Sequence, residues 1–330
     1  MKLVRYSAFG APEEVLEVVE VPRPEPGETE VRIRLEASPV HLADLKHIRG
    51  VPWFDQYRPP HTPGYEGVGY VTAVGAAVRD RREGDRVFFP VRFGAWAEEI
   101  VAPAQGLWPA PTGIDAVQLA LIPINFSTAY LMLREVTALS EGDWVLQNAA
   151  NSNVGYYLIQ LCRRWGLNSA NAVRRASALP ALETAGGTLN LLDGDDLPAR
   201  VQAAIPRGRL KLAIDAIAGD ATTRLAACFG GQAGLVLSYG MLSGQPCSIP
   251  PEMLMLDDIT LKGFYAARTI EAIGPEATAS MHEEINVCLR DSPPRAQIAA
   301  TYGLEDVRAA VRHAARTQAE REGKIVLLNN

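Results

Sequence analysis

The stretch Gln147-Asn148-Ala149-Ala150-Asn151-Ser152-Asn153-Val154-Gly155 has the clearest chemical use in this chain. It follows an apolar run, Trp144-Val145-Leu146-Gln147, and leads into a segment with helical patterning, Val154 to Trp165. A strand-to-helix loop of this kind presents backbone N–H groups at a helix N-terminus. The first-turn donors there lack intrahelical partners and the helix dipole favours negative charge, so a pyrophosphate can bind. A second feature follows the next apolar run, at Arg174-Arg175. Dinucleotide sites selective for NAD carry Asp or Glu at that place, to hold the ribose hydroxyls. Two guanidinium groups instead suit a 2′-phosphate, which they bind by charge and by bidentate hydrogen bonds. The pair therefore points to NADPH.

These residues need a scaffold, and the chain changes texture where that scaffold begins. Up to about residue 115 it reads as β-rich. Val31-Arg32-Ile33-Arg34-Leu35 alternates apolar and polar residues, Gly64 to Gly75 is a glycine-punctuated β run, and Glu83-Gly84-Asp85 turns into Arg86-Val87-Phe88-Phe89. Short strands spaced by glycine suggest a small barrel. Ala116 to Leu133 is rich in Ala and Leu and predicts helix, with a break or kink at Pro123. Strands and helices then alternate. Strands are predicted at 144–147, 170–173, 189–192, 212–214, 235–239 and 259–264, and helices at 154–165 and about 179–185. That alternation predicts a doubly wound parallel sheet. A helix at 304–316 and a strand at Lys324-Ile325-Val326-Leu327-Leu328 close the chain, and this tail is expected to return to the first domain. The division read from the sequence is 1–120, completed by 268–330, and 121–267.

Bulk properties narrow the function classes. With 330 residues the chain can bury a sizeable core and divide into two domains. A net charge of −6 argues against a nucleic-acid or anionic-membrane partner. Consecutive apolar residues do not reach the roughly 18–20 of a membrane span, and MKLVRYSAFG lacks the apolar stretch of a signal peptide. Cys162, Cys228, Cys247 and Cys288 are far apart in sequence, which suits buried thiols in a reducing cytoplasm.

At this point the chain resembles a known family, the zinc-independent branch of the medium-chain dehydrogenases/reductases that holds quinone oxidoreductases and trans-2-enoyl thioester reductases. The resemblance runs through Pro39 to Gly50, Gly64-Tyr65-Glu66-Gly67-Val68, Gly94 to Glu98, Ile124 to Tyr130, the loop at 147–155, Tyr239-Gly240-Met241, Leu261 to Tyr265 and Gly323 to Leu327. It implies a GroES-like barrel domain joined to a Rossmann domain. Ala150, Asn153, Val154 and Gly155 are spaced as in that family's AxxGVG loop, with Asn153 where the family has glycine. Asparagine tolerates positive φ better than most residues, so Asn153 is expected to take a left-handed or otherwise glycine-like backbone.

By position, the resemblance implies that Asn125 and Thr128 lie near the nicotinamide end, and that Asn151, Ser152, Asn153 and Val154 meet the pyrophosphate beside Gly155. It implies the 2′-phosphate at Arg174 and Arg175, the nicotinamide half framed by Tyr239, Gly240, Met241, Leu242, Phe264 and Tyr265, and contact with the cofactor from Lys324. Zinc is not expected. A catalytic zinc takes three protein ligands, Tyr65 stands where the zinc enzymes carry histidine before Glu66, and the first domain has no cysteine before residue 120; His41, His47 and His61 are its remaining nitrogen ligands. A homodimer is expected, because 235–239 and 259–264 would end the sheet on an apolar edge that invites pairing about a two-fold axis.

The implied reaction is hydride transfer from NADPH to an electron-poor double bond, in a 2-enoyl thioester or a quinone. A thioester enolate needs hydrogen-bond donors and a positioned acid. Enoyl reductases carry a tyrosine shortly after the glycine matching Gly50; here that place falls on Pro52 or Trp53. An indole donates a hydrogen bond but is not a practical acid. Tyr57 is the nearest replacement, with Tyr65 and His47 as others; Trp53, His47 and Tyr65 are the candidates to line the substrate cleft, and Trp53 and Tyr57 would equally serve only to line or cover it. Quinone reduction needs no dedicated donor, which favours that substrate. A non-catalytic NADPH-binding or structural protein that kept the fold is the remaining reading.

Overall fold

Val31, Ile33 and Leu35 are fully or almost fully buried in one core with Val71, Val87 and Phe89, as their alternation with arginine requires. The computed structural model describes residues 1–51, 58–89, 94–316 and 323–329. It forms two compact units, Met1–Ile124 with Ser280–Asn330, and Asn125–Ala279. The cuts fall after Ile124 and Ala279, where the sequence reading sets them after residues 120 and 267.

The first unit opens with a hairpin-like pair, β1 (Lys2–Tyr6) and β2 (Leu16–Glu20), joined through α1 (Pro12–Val15). Next come β3 (Glu30–Val40), α2 (Leu42–Ile48), β4 (Val68–Val74), β5 (Arg86–Phe88), β6 (Glu99–Pro103), β7 (Trp108–Pro109) and α3 (Ala116–Leu119). Pro123 lies in a π-helical turn, Ile122–Phe126, so the helix predicted over Ala116 to Leu133 is broken there. By length and composition, Ala116–Arg134 would reach across a membrane, contrary to the count of consecutive apolar residues; 78% of its most apolar window is buried inside the protein.

The second unit holds α4 (Ser127–Arg134), β8 (Trp144–Gln147), α5 (Asn153–Arg164), β9 (Asn168–Val173), α6 (Leu179–Thr184), β10 (Leu189–Leu192) and α7 (Leu197–Ala204). It continues with β11 (Leu210–Asp215), α8 (Asp220–Ala227), β12 (Gly234–Ser238), α9 (Pro251–Met255), β13 (Ile259–Gly263) and the start of α10 (Ala266–Asp291). Its six strands are all parallel in the order β10-β9-β8-β11-β12-β13, which is the doubly wound sheet that the alternation predicts. The order reverses between β9 and β11, so the carboxy ends around β8 form the switch point where such sheets bind ligands. Helix α10 is bent at Gly274, whose φ of 79° only glycine adopts readily, and Pro275 follows.

The tail, β14 (Ile298–Gly303), α11 (Val307–Ala314) and β15 (Lys324–Leu328), returns to the first unit. β15 pairs antiparallel with β3, and the sheet runs β14-β15-β3-β4-β5-β7 with β6 also on β3. Ile325 and Leu327 join Val4, Leu16, Val307 and Val311 in a second core. This pairing fixes Lys324 at the start of a buried strand.

Candidate functional site

The loop after β8 is built by buried polar residues. Gln147 Nε2 donates to Gly155 O at 3.0 Å and to Asn171 Oδ1 at 2.8 Å, tying β8 to α5 and β9. Asn148 Nδ2 donates to Asp215 Oδ1 at 2.6 Å, and Asn148 Oδ1 accepts the Ala216 N–H at 2.8 Å. Ala149 carries the positive φ of the turn, 47°. Ser152 is the N-cap of α5 and its hydroxyl accepts the Gly155 N–H at 3.1 Å. Gly155 is required by packing, since a Cβ there would lie 2.3 Å from Ala150 O.

Asn153 departs from expectation. It is the first residue of α5, almost fully buried, and is not among the residues with positive φ. The left-handed position had already been used at Ala149, four residues earlier, so the loop asks nothing glycine-like of Asn153.

The other predicted cofactor residues of this unit gather at the same end of the sheet. Arg174 and Arg175 follow β9 directly, Arg174 exposed and Arg175 half-buried. The neighbouring acid, Asp193 after β10, is held by Arg224 at 2.9 and 3.0 Å. Tyr239, Gly240, Met241 and Leu242 follow β12, and Phe264 and Tyr265 follow β13, where Phe264 N–H donates to Ser238 O at 2.8 Å. Met241, Leu242 and Tyr265 are exposed. Tyr239 and Gly240 both donate their N–H groups to Asp215 O, and the Tyr239 phenol, which burial pushes up to about 12, hydrogen-bonds Ser152. Gly240 lies so close to Ala216 that a Cβ would meet its carbonyl oxygen at 2.4 Å. Asn125 and Thr128, on the π turn and α4, are both buried. A helix N-terminus with a capped loop, small residues where backbone must approach, and two cations at the next strand end fit a dinucleotide carrying a 2′-phosphate.

The first unit holds a cluster of buried titratable side chains that the sequence reading names only in part. His41 Nε2 lies 2.6 Å from Glu66 Oε1, and Lys324 Nζ lies 2.8 Å from His41 Nδ1. Glu66 Oε2 accepts the Ile124 N–H at 2.6 Å. Asp44 accepts the His41 N–H at 2.7 Å and the Gly64 N–H at 3.2 Å. Burial lowers the His41 pKa, helped by the Lys324 charge, and raises that of Glu66; it pushes the Asp44 carboxyl up to about 7 against its hydrogen bonds and Lys324. His47 is 2% exposed, with Nε2 2.9 Å from the Tyr6 hydroxyl and its ring beside His61 and Tyr65. Tyr65 is buried as well, at 8% exposed. Trp53, Tyr57 and Pro52 lie outside the described residues. The signal for the cluster was His41, Asp44 and Glu66 set among apolar neighbours, charged groups that a core keeps only when paired.

Known proteins match this arrangement. The model of the alcohol dehydrogenase GroES-like domain matches residues 27–112. A mitochondrial enoyl-[acyl-carrier-protein] reductase of Caenorhabditis elegans is 30% identical over 310 residues, 91% of this chain and 88% of that one. A provisionally named NADPH:quinone reductase from Bacillus thuringiensis superposes with a TM-score of 0.89 at 27% identity, over 100% of this chain and 99% of that one. Etr1p, from the mitochondrial 2-enoyl thioester reductase of Candida tropicalis, has been solved with NADP and crotonyl-CoA; it gives a TM-score of 0.85 at 24% identity over 99% of both chains, a likeness of fold.

Proposed function

Because the chain belongs to the medium-chain dehydrogenase/reductase family, we propose that it is an NADPH-dependent reductase of electron-poor double bonds, with a 2-enoyl thioester or a quinone as substrate. The observation that carries this reading is the Ser152-capped loop at the α5 N-terminus beside two arginines at the end of β9. When bound, NADPH supplies the hydride. The chain's own part is to hold the pyrophosphate on the first turn of α5, the 2′-phosphate at Arg174 and Arg175, and the nicotinamide half among Tyr239 to Leu242 and Phe264 to Tyr265. The names of the curated relatives favour the enoyl thioester, and the quinone reading is supported by the Bacillus structure and by the lack of tyrosine at positions 52 and 53. Mixing the protein with NADPH and either a crotonyl thioester or a quinone, and following the absorbance of reduced cofactor, tests the reading. Turnover with one of the two selects it; NADPH binding without turnover on a broad panel returns the chain to a binding or structural role.

The reading is zinc-free. A Lys324 ammonium on one ring nitrogen of His41 and Glu66 on the other leave that imidazole no lone pair for a metal. Stoichiometric zinc in tag-free protein would overturn this. The reading also includes a homodimer through β13, which among the described residues is an edge strand on β12; Leu261 on it is exposed, as are Met255 and Leu256 just before it, at 78% and 80%. A monomeric mass at micromolar concentration would count against it. Four free cysteines support a reducing, cytoplasmic setting, which fractionation tests against the mitochondrial location in the relatives' names.

A further inference from the structure

The loop after β10 carries three acids in four residues, Asp193-Gly194-Asp195-Asp196. It lies next to the strand end where Arg174 and Arg175 would meet a phosphate. The parallel register of β9 and β10 pairs Val173 with Leu192, and the Asp193 N–H donates to Val173 O at 2.8 Å. Arg174 and Asp193 are therefore the next residues on neighbouring strands, which run about 5 Å apart. A 2′-phosphate gathered at the end of β9 would approach this carboxylate, and like charges at that range repel. A released Asp193 would also compete with the phosphate for the guanidinium of Arg174.

Arg224, on α8, takes up this acid. Its Nε donates to Asp193 Oδ1 at 3.0 Å and its Nη2 to Oδ2 at 2.9 Å, so both carboxylate oxygens are engaged. The Asp193 side chain is 7% exposed, which leaves solvent little part in screening it. The hydrogen bond to Asp193 raises the Arg224 pKa, against some desolvation and with help from the charges of Asp193, Asp195 and Asp220. Asp196 differs: it pairs with Arg200 at the surface, where its own side chain is 71% exposed and water screens the pair. Arg174, Asp193 and Arg224 all belong to the second unit.

We infer that Arg224 is a specificity-determining residue for the cofactor: by occupying both oxygens of Asp193, it neutralises the acid beside the 2′-phosphate position and makes this sheet edge selective for NADPH over NADH. The inference rests on the reductase reading above. It adds to the two arginines after β9 a third, 31 residues beyond the acid that it restrains, which would touch no phosphate itself.

Adenosine 2′,5′-bisphosphate and adenosine 5′-monophosphate differ only by the 2′-phosphate, so together they isolate its contribution. Their dissociation constants are measured by calorimetric titration for the unmodified protein, Arg224→Met, Asp193→Asn and the double variant. Arg224→Met is expected to weaken the bisphosphate about five- to tenfold and to leave the monophosphate within about twofold. Adding Asp193→Asn to Arg224→Met restores the bisphosphate to within about twofold of the unmodified protein, as a double-mutant cycle requires of coupled residues. Asp193→Asn alone, which keeps Arg224 and removes the negative charge, tightens the bisphosphate about two- to threefold. That variant decides the matter if Arg224→Met does not fold, and unchanged or weaker binding in it contradicts the inference. Equal weakening of both ligands by Arg224→Met overturns the inference and leaves a packing role. A loss that survives Asp193→Asn also overturns it, and makes Arg224 a phosphate ligand. An unmodified protein that does not prefer the bisphosphate overturns the NADPH reading and this inference with it. A preference that ignores Arg224 overturns this inference alone.

Discussion

Asn148 and Asp215 are joined by a 2.6 Å hydrogen bond that ties the carboxy end of β8 to the carboxy end of β11, beneath the cofactor loop. Asp215 is completely buried and also accepts the N–H groups of Ile217 and Ala218 and the hydroxyl of Thr222. Its backbone oxygen takes the N–H groups of Tyr239 and Gly240. Asp215 therefore holds three loops, those after β8 and β11 through its carboxylate and the one after β12 through its backbone oxygen. Asp215→Ala leaves several buried donors unpaired, and each costs about 1–3 kcal/mol without strict additivity. We expect a loss of at least about 3 kcal/mol in chemical denaturation, and a smaller one for Asp215→Asn, which keeps one acceptor oxygen. A loss under about 1 kcal/mol for the alanine variant would show that water or rearrangement satisfies these donors.

Gly155→Ala should weaken NADPH binding by at least about tenfold, or about 1.4 kcal/mol. The added Cβ would sit 2.3 Å from Ala150 O, which is backbone and cannot swing aside. Relief comes only by moving the loop away from the first turn of α5, and that displaces the N–H groups meant for pyrophosphate. Calorimetric titration checks this, and unchanged affinity would mean that the pyrophosphate lies elsewhere.

NADPH should bind at least about tenfold more tightly than NADH, a modest ratio for charge-assisted phosphate contacts. Arg174 and Arg175 follow β9, where an NAD-selective site carries an acid, and the nearby Asp193 is engaged by Arg224. Replacing both arginines with alanine should bring the two affinities together. Equal affinities in the unmodified protein would remove the assignment of the arginines.

The elements that place these residues were legible because each strand and helix carries its period in its own sequence. The predicted strands at 144–147, 189–192 and 324–328 coincide with β8, β10 and β15. The β1–β2 pair, the bend of α10 at Gly274 and strand β14 were not read, since each depends on partners distant in sequence. At the site, the loop and the arginines were visible as a local pattern. The Glu66–His41–Lys324 chain was not, because it joins residues 25 and 283 positions apart that meet only when β15 pairs with β3. Asp215 escaped notice for the same reason: nothing in Leu212-Ala213-Ile214-Asp215 announces that its partner is Asn148.

Asp44 should make the folded state less stable as pH rises toward 7. Burial raises its carboxyl from an ordinary value of 3.8 to about 7, so the folded chain holds a proton there that the unfolded chain releases. The stabilisation is full below the unfolded pKa and is lost as pH rises through about 7, with a limiting slope of about 1.4 kcal/mol per pH unit. Glu66 shifts in the same direction. His61 and His282, held down to about 4 by burial, act with the opposite sign below 6.5. The difference between the unmodified protein and Asp44→Asn therefore reports Asp44 together with the part of the Glu66 shift that the Asp44 charge causes. Denaturation measured from pH 5 to 7.5 should show stability falling less steeply with pH in the variant, and parallel profiles would contradict the shift.

Asn153→Gly should destabilise the protein and fail to improve its grip on NADPH. From sequence, an asparagine at a glycine position reads as strain that glycine would relieve. In the fold that strain is missing, because Ala149 takes the positive φ and Asn153 begins α5 with ordinary helical backbone. Glycine in a helix gives up more conformational freedom than a residue with a side chain, about 0.5–1 kcal/mol against alanine. Asn153 is also almost fully buried, so its removal empties space beside the loop. We expect a loss of about 0.5–1.5 kcal/mol in denaturation, with NADPH affinity unchanged or weaker. Tighter binding in Asn153→Gly would instead show that the asparagine side chain obstructs the phosphate path even from a relaxed backbone.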